Sequence, residues 1–140
     1  HTDGALKTVL AATRETLKPH QELILVFGCG GDRDRLKRPR MGRVASELAH
    51  RVWVTSDNPR SESPTAIIDD ILQGVMEHTR VNVEPDRAAA IKQAIASAQL
   101  DDVVLIAGKG HEQVQLIGDR VEPFDDVEIA RACLQEVRSA

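Results

Sequence analysis

Three short polar runs carry the residues of this chain that could do chemistry, and each directly follows an apolar run. Ser56-Asp57-Asn58-Pro59-Arg60 follows Arg51-Val52-Trp53-Val54-Thr55. Gly108-Lys109-Gly110-His111-Glu112 follows Val103-Val104-Leu105-Ile106-Ala107. Gly28-Cys29-Gly30-Gly31-Asp32-Arg33-Asp34 follows Leu23-Ile24-Leu25-Val26-Phe27. An arginine offers a planar fork that holds a carboxylate through two hydrogen bonds. Asp57 and Glu112 can accept from an ammonium, and the Asn58 amide can both donate and accept. Carboxylate partners beside ammonium partners read as a site for a free amino acid. Such loops also serve as plain turns, because glycine permits sharp reversals and Asp-Asn-Pro is a turn sequence in itself. The reading therefore rests on a fold that brings Arg33, Asp57, Asn58, Arg60, Lys109 and Glu112 to one place.

Other chemistry fits less well. The glycines of residues 28–34 lack G-x-G-x-x-G spacing, and G-x-x-x-x-G-K-[ST] occurs nowhere in the chain. Gly108-Lys109-Gly110 is not followed by the Ser or Thr of a phosphate loop, so an autonomous nucleoside triphosphatase is not expected. His111 reads as a group that orients its loop rather than one that transfers a proton. His20, His50 and His78 fall at expected helix ends, where a structural role suffices. Trp53 reads as core. The run Lys37-Arg38-Pro39-Arg40 could meet a phosphate, but a solvated surface run is favoured. Cys29 and Cys133 fit no C-x-x-C spacing, and no His spacing supports a metal site. Two reduced thiols in a cytoplasmic protein are expected.

The elements between these loops alternate. Leu6, Val9, Leu10, Thr13 and Leu17 recur at helical spacing, which predicts a helix over 5–17 capped by Thr2 or Asp3. A helix over 41–50 follows Pro39, with Val44, Ala45 and Leu48 inward. Pro64, with Ser63 as cap, opens a third helix. Val81-Asn82-Val83 is a short strand, and Asp86 caps a helix over 87–98. After the last polar run, residues 113–121 alternate around Gly118-Asp119, which reads as a hairpin at a sheet edge. Asp125 or Asp126 starts a final helix with Val127, Ile129, Ala130, Cys133, Leu134 and Val137 on its buried side.

Alternating helices and strands predict an α/β fold: a Rossmann-like, mostly parallel sheet with helices on both faces and an antiparallel edge hairpin. Ligands of such sheets bind outside the carboxyl ends of the strands, where all three polar runs would lie. The 140 residues suffice for a single domain with one core, and 41% apolar with 29% charged residues fits a globular chain. Aromatics are only 2%, so the core is built from Val, Ile, Leu and Ala, and base-stacking platforms for single strands are lacking. With a net charge of −4, nucleic acid is not an expected partner. No apolar run approaches the roughly 20 residues of a membrane span.

Taken together, the motifs are recognisable. Phe27 to Asp34, followed by Lys37-Arg38-Pro39 and Met41-Gly42, resembles the C-terminal domain of the Mur ligases. His1-Thr2-Asp3-Gly4-Ala5-Leu6 resembles the stretch that opens this domain, although Asp3 stands where the family often has Pro. Asp57-Asn58-Pro59-Arg60 and Gly108-Lys109-Gly110-His111-Glu112 narrow the likeness to members that add meso-diaminopimelate to UDP-N-acetylmuramoyl-L-alanyl-D-glutamate. Gln113-Val114-Gln115 departs from the family's Asp-Tyr-Gln, so an aromatic beside the pocket is lost.

The resemblance implies that residues 1–140 are the amino-acid domain of a larger, three-domain ligase of peptidoglycan synthesis. It implies diaminopimelate contacts from Arg33, Asp57, Asn58, Arg60, Gly108 and Glu112, and an ATP-facing side near His1 and Asp32. It places ATP and magnesium in the complete enzyme, with neither held stably by this domain alone. The UDP-N-acetylmuramoyl dipeptide would be bound through the other domains, and no catalytic residue or metal ligand would come from this one. A related ligase for lysine and a non-catalytic amino-acid-binding module are the alternatives.

Overall fold

The computed structural model describes residues 2–109 and 112–139. Strands β1 (Leu23–Phe27), β2 (Arg51–Val54), β3 (Arg80–Val83) and β4 (Val103–Ile106) form one sheet in the order β3-β2-β1-β4. Every neighbouring pair in it is parallel. Helices α1 (Asp3–Glu15), α2 (Lys37–Leu48) and α3 (Pro64–Leu72) share one face. Helices α4 (Arg87–Ser97) and α5 (Asp126–Ser139) share the other.

Strand alternation divides the core in two. Leu23, Leu25, Phe27, Val52 and Val54 meet Leu6, Leu10, Met41, Ala45 and the isoleucines of α3. Ile24, Val26 and Trp53 point the other way, onto Ala90, Ile91, Ala94 and Cys133. β1 is central and buried along its whole length, which is why it reads as an unbroken apolar run. Trp53 is core, as expected, with its indole N–H donating to Gln93 Oε1 at 3.1 Å.

The helix starts follow their caps. Thr2, not Asp3, accepts from the Ala5 amide at 3.0 Å. Ser63 and Asp86 accept from the Ala66 and Ala89 amides at 3.4 and 3.2 Å. Asp125 Oδ1 accepts from the Val127 and Glu128 amides at 2.9 and 3.3 Å, which leaves Asp126 for another task. α2 begins about one turn before the expected Met41. Pro39 does not delimit it but sits in its first turn, where the missing N–H would have no helical acceptor.

Two further features depart from the sequence reading. On α5, Ile129, Ala130 and Cys133 pack inward, whereas Val127, Leu134 and Val137 are 49%, 51% and 49% exposed. The helix lies mainly against α4 rather than across the sheet, so its buried stripe is narrow. The hairpin β5 (Val114–Ile117) and β6 (Arg120–Pro123) is antiparallel, as expected, and stands as its own two-stranded sheet. It turns at Gly118, with φ +60°, and meets the β2–α3 loop through a bridge between Ile117 and Arg60. No helix among the described residues is long and apolar enough to cross a membrane.

Cys29 and Cys133 lie in the two separate cores with the sheet between them, and both are free thiols. Burial pushes the Cys29 thiol up to about 12, and burial also raises that of Cys133. A disulfide reagent should therefore react slowly with the native chain and then titrate both thiols in denaturant without reductant. Fewer than two thiols under those conditions would contradict this arrangement.

Candidate functional site

The three polar loops converge beyond the carboxyl ends of β1, β2 and β4. A cavity of about 340 Å³ opens there, and Arg33, Asp57, Asn58, Arg60 and Glu112 all line it. That volume is at the lower end of the range for small-molecule pockets, about 300–1,000 Å³. Gly108 lines a smaller adjoining cleft, alongside Thr2, Val9 and Gly28. His1, Gly110 and His111 lie outside the described residues.

The first two loops are locked together by backbone. The Gly31 amide donates to Asn58 O at 2.7 Å. A β-carbon at Gly31 would lie 1.8 Å from Pro59 O, so glycine is required by this close approach. Arg60 Nη1 donates to Gly31 O at 2.9 Å and reaches Asn58 O at 3.4 Å. Arg60 itself has φ +52°, a left-handed conformation that disfavours side chains with a β-carbon. Its backbone is held there from both sides: its amide donates to Leu116 O at 2.9 Å, and its carbonyl accepts from Gly118 N at 2.6 Å. The hairpin thus aims the Arg60 side chain into the cavity.

Lys109 does not stand in the open site, as the sequence suggested; its side chain is fully buried. Its ammonium donates to Asn58 Oδ1 at 2.8 Å and to Val114 O at 3.0 Å, and lies 3.3 Å from Asp57 Oδ1. Asn58 Oδ1 also accepts from the Leu116 amide at 2.9 Å, and its Nδ2 donates to Glu112 Oε2 at 3.2 Å. Gln115 Nε2 donates to Asp57 O at 2.8 Å. A buried ammonium therefore braces Asp57 and Asn58 from beneath. Glu112 remains the more open acid, 40% exposed against 2% for Asp57.

Arg33 is exposed at the rim, and its Nη1 donates to Asp32 O at 3.0 Å. The Asp32 carboxylate accepts from Ser61 Oγ at 2.6 Å and from the Ser61 amide at 3.3 Å. Arg38 corrects the reading of its run as solvated surface, being 1% exposed. Its Nη2 donates to Glu62 Oε2 at 2.7 Å and to Gly30 O at 3.1 Å. Its Nη1 donates to Glu62 Oε1 at 3.1 Å and to Asp70 Oδ2 at 3.0 Å. Glu62 Oε2 also accepts from the Asp32 amide at 2.6 Å. The Arg38 guanidinium, and after it the Asp32 amide, holds the Glu62 carboxyl down at about 2.

A second buried arginine was not marked by the loop motifs. Arg87 forms a two-pronged pair with Asp126, Nε to Oδ1 at 2.9 Å and Nη2 to Oδ2 at 2.8 Å. Helical register carried a signal for both arginines. Arg38 shares the inward stripe of Met41 and Ala45, and Arg87 that of Ala90, Ile91 and Ala94.

Cationic forks and carboxylates thus surround a small cavity at the carboxyl edge of a parallel α/β sheet. Residues 1–110 match the family model described as Mur ligase, glutamate ligase domain, and the chain belongs to that family. It is 55% identical over all 140 residues to the UDP-N-acetylmuramoyl-L-alanyl-D-glutamate–2,6-diaminopimelate ligase of Synechococcus elongatus, covering 28% of that protein. It is 52% identical over 139 residues, or 99% of its length, to the ligase of the same name from Gloeobacter violaceus, again covering 28%. A solved structure of a ligase with that name superposes with a TM-score of 0.92 at 43% identity, over 99% of this chain and 28% of the other. The chain thus spans little more than a quarter of these relatives.

Proposed function

We propose that residues 1–140 form the amino-acid-selecting domain of a larger, three-domain, ATP-dependent ligase of peptidoglycan synthesis. The complete enzyme adds meso-diaminopimelate to UDP-N-acetylmuramoyl-L-alanyl-D-glutamate. The observation that carries this reading is the convergence of Arg33, Asp57, Asn58, Arg60 and Glu112 on one cavity. Diaminopimelate carries a carboxylate and an ammonium at each end. The Arg60 fork takes the far carboxylate, and Glu112 takes the ammonium beside it. Asn58 and Gly108 fix the orientation, Asp57 sets the buried ammonium of Lys109 against Asn58, and Arg33 adds positive charge at the rim. The opposite amine is left to attack the activated glutamate side chain.

ATP and magnesium belong to the rest of the enzyme. The chain lacks a phosphate-binding loop. Among the described residues, no three His, Cys, Asp or Glu side chains are grouped to hold a metal ion. We assign His1 and Asp32 to the nucleotide-facing side of the closed enzyme. The UDP-N-acetylmuramoyl dipeptide is bound through the other domains, and the reaction runs in the cytoplasm without nucleic acid or membrane as partner.

The test is ligation by the full-length protein with diaminopimelate or lysine as acceptor, beside ATP turnover by the 140-residue chain. Product with diaminopimelate, little with lysine, and no turnover by the short chain are expected. Equal use of lysine would overturn the assigned substrate. Turnover by the short chain that depends on one of its own residues would overturn the division of labour.

A further inference from the structure

We infer that Arg87 is a positioning residue for amino-acid selection: with Asp126, it sets the spacing between the two loops that grip the substrate. The inference rests on the reading of those loops as the diaminopimelate site. The loop beginning at Asp57 leaves β2, and the loop beginning at Gly108 leaves β4. These strands are not neighbours, because β1 runs between them. No ladder hydrogen bond therefore joins the two strand ends directly, although farther out Lys109 and Glu112 meet Asp57 and Asn58 through side chains. Arg87 spans the gap: its Nη1 donates to Ser56 O at 3.0 Å and its Nη2 to Ala107 O at 3.1 Å. Those carbonyls belong to the residues just before Asp57 and Gly108.

The fork is itself held. Nε and Nη2 are paired with both oxygens of Asp126, and the two side chains are 0% and 8% exposed. Arg87 is the first residue of α4 and Asp126 the first of α5, so the clamp sits at the site end of the sheet. A guanidinium suits this task because its donors lie in one rigid plane, and four acceptor atoms, two of them on Asp126, determine where it sits. A lysine keeps the charge but not the plane, and it cannot hold both carbonyls and the carboxylate in one geometry. Arg87 is not among the residues lining the cavity, so its effect on substrate passes through the loops.

The experiment is steady-state kinetics of the full-length ligase with Arg87→Lys, Asp126→Asn and Arg60→Ala, each with a thermal melt. Arg87→Lys should raise the KM for diaminopimelate at least tenfold, with kcat within about threefold and the KM for ATP within about twofold. Asp126→Asn, which keeps the fork but loosens its anchor, should give a smaller rise in the same constant, and it decides the matter if Arg87→Lys does not fold. A role confined to stability lowers the melting temperature and the folded fraction, hence apparent kcat, without moving KM. That pattern overturns the inference. If Arg60→Ala raises the diaminopimelate KM while neither clamp variant does, the clamp fails and the reading of the loops stands. If Arg60→Ala leaves that KM unchanged, both fall.

Discussion

On the proposed function, Arg60→Ala in the full-length protein is expected to remove most of the preference for meso-diaminopimelate over lysine. Both amino acids bring an attacking amine, but only diaminopimelate has a carboxylate at its far end. An apolar pocket would reject lysine weakly. A site built around a carboxylate rejects it strongly, because lysine leaves the fork unpaired. Arg60 spends Nη1 on Gly31 O and Asn58 O, and the rest of its fork has no protein acceptor among the described residues. Truncating one partner of a buried, hydrogen-bonded charge pair costs about 2–5 kcal/mol. That corresponds to roughly 30-fold to several-thousand-fold in kcat/KM, at about 1.4 kcal/mol per tenfold.

The substitution isolates the guanidinium. Alanine keeps a β-carbon, so the left-handed backbone at this position, φ +52°, is about as disfavoured in the variant as in the parent. ATP use should be nearly unchanged. Glu112→Gln should cost less, since an amide oxygen still accepts from the ammonium and from Asn58 Nδ2. The measurement is kcat/KM for each amino acid in each variant. A preference within about threefold of the parent in Arg60→Ala, short of even one tenfold step, would show that Arg60 does not read the far carboxylate.

The parallel sheet and the gathering of the loops were legible because both are written locally. β1 is an unbroken apolar run and β2 is apolar after Arg51, Ser63-Pro64 and Asp86 announce helix starts, and the polar residues follow the strand ends closely. The supports of the site were not legible in this way. Lys109, Arg38 and Arg87 are cations, which residue type alone assigns to solvent; helical register marks Arg38 and Arg87 as inward but says nothing of their partners. Each is buried because acceptors arrive from segments distant in sequence: Asn58 for Lys109, Glu62 and Asp70 for Arg38, Asp126 with two strand-end carbonyls for Arg87. No spacing rule reports such pairings. The α5 register erred in the opposite direction. Helical period marks every apolar position, but only the neighbours present decide which are covered, and α4 covers just the edge with Ile129, Ala130 and Cys133.

Arg38→Ala, in the first turn of α2, is expected to be strongly destabilising, and its partner Glu62 should give the chain a specific acid sensitivity. Arg38 is 1% exposed and ties Gly30, Glu62 and Asp70 together. Its loss leaves two carboxylates facing each other's charge. Removing one partner of a buried pair costs about 3–5 kcal/mol. Glu62 and Asp70 are 24% and 22% exposed, so water recovers part of that cost. A loss of about 2–3 kcal/mol follows, a fall of very roughly 10 °C in Tm for a chain of this size. The Glu62 carboxyl is depressed from its ordinary 4.5 to about 2 in the folded chain. The unfolded chain therefore binds the proton first as pH falls. The stabilisation is complete above about 4.5, declines as pH drops below that value, and is gone near 2. Glu62→Gln cannot titrate, so it should be less stable than the parent at pH 7, and the gap should close progressively between pH 4.5 and 2. Urea unfolding of both chains at pH 7, 4.5 and 3 measures it. A gap of the same size at pH 7 and pH 3 would mean that Glu62 is not held ionised by Arg38, and that the loop carrying Arg33 is anchored in some other way.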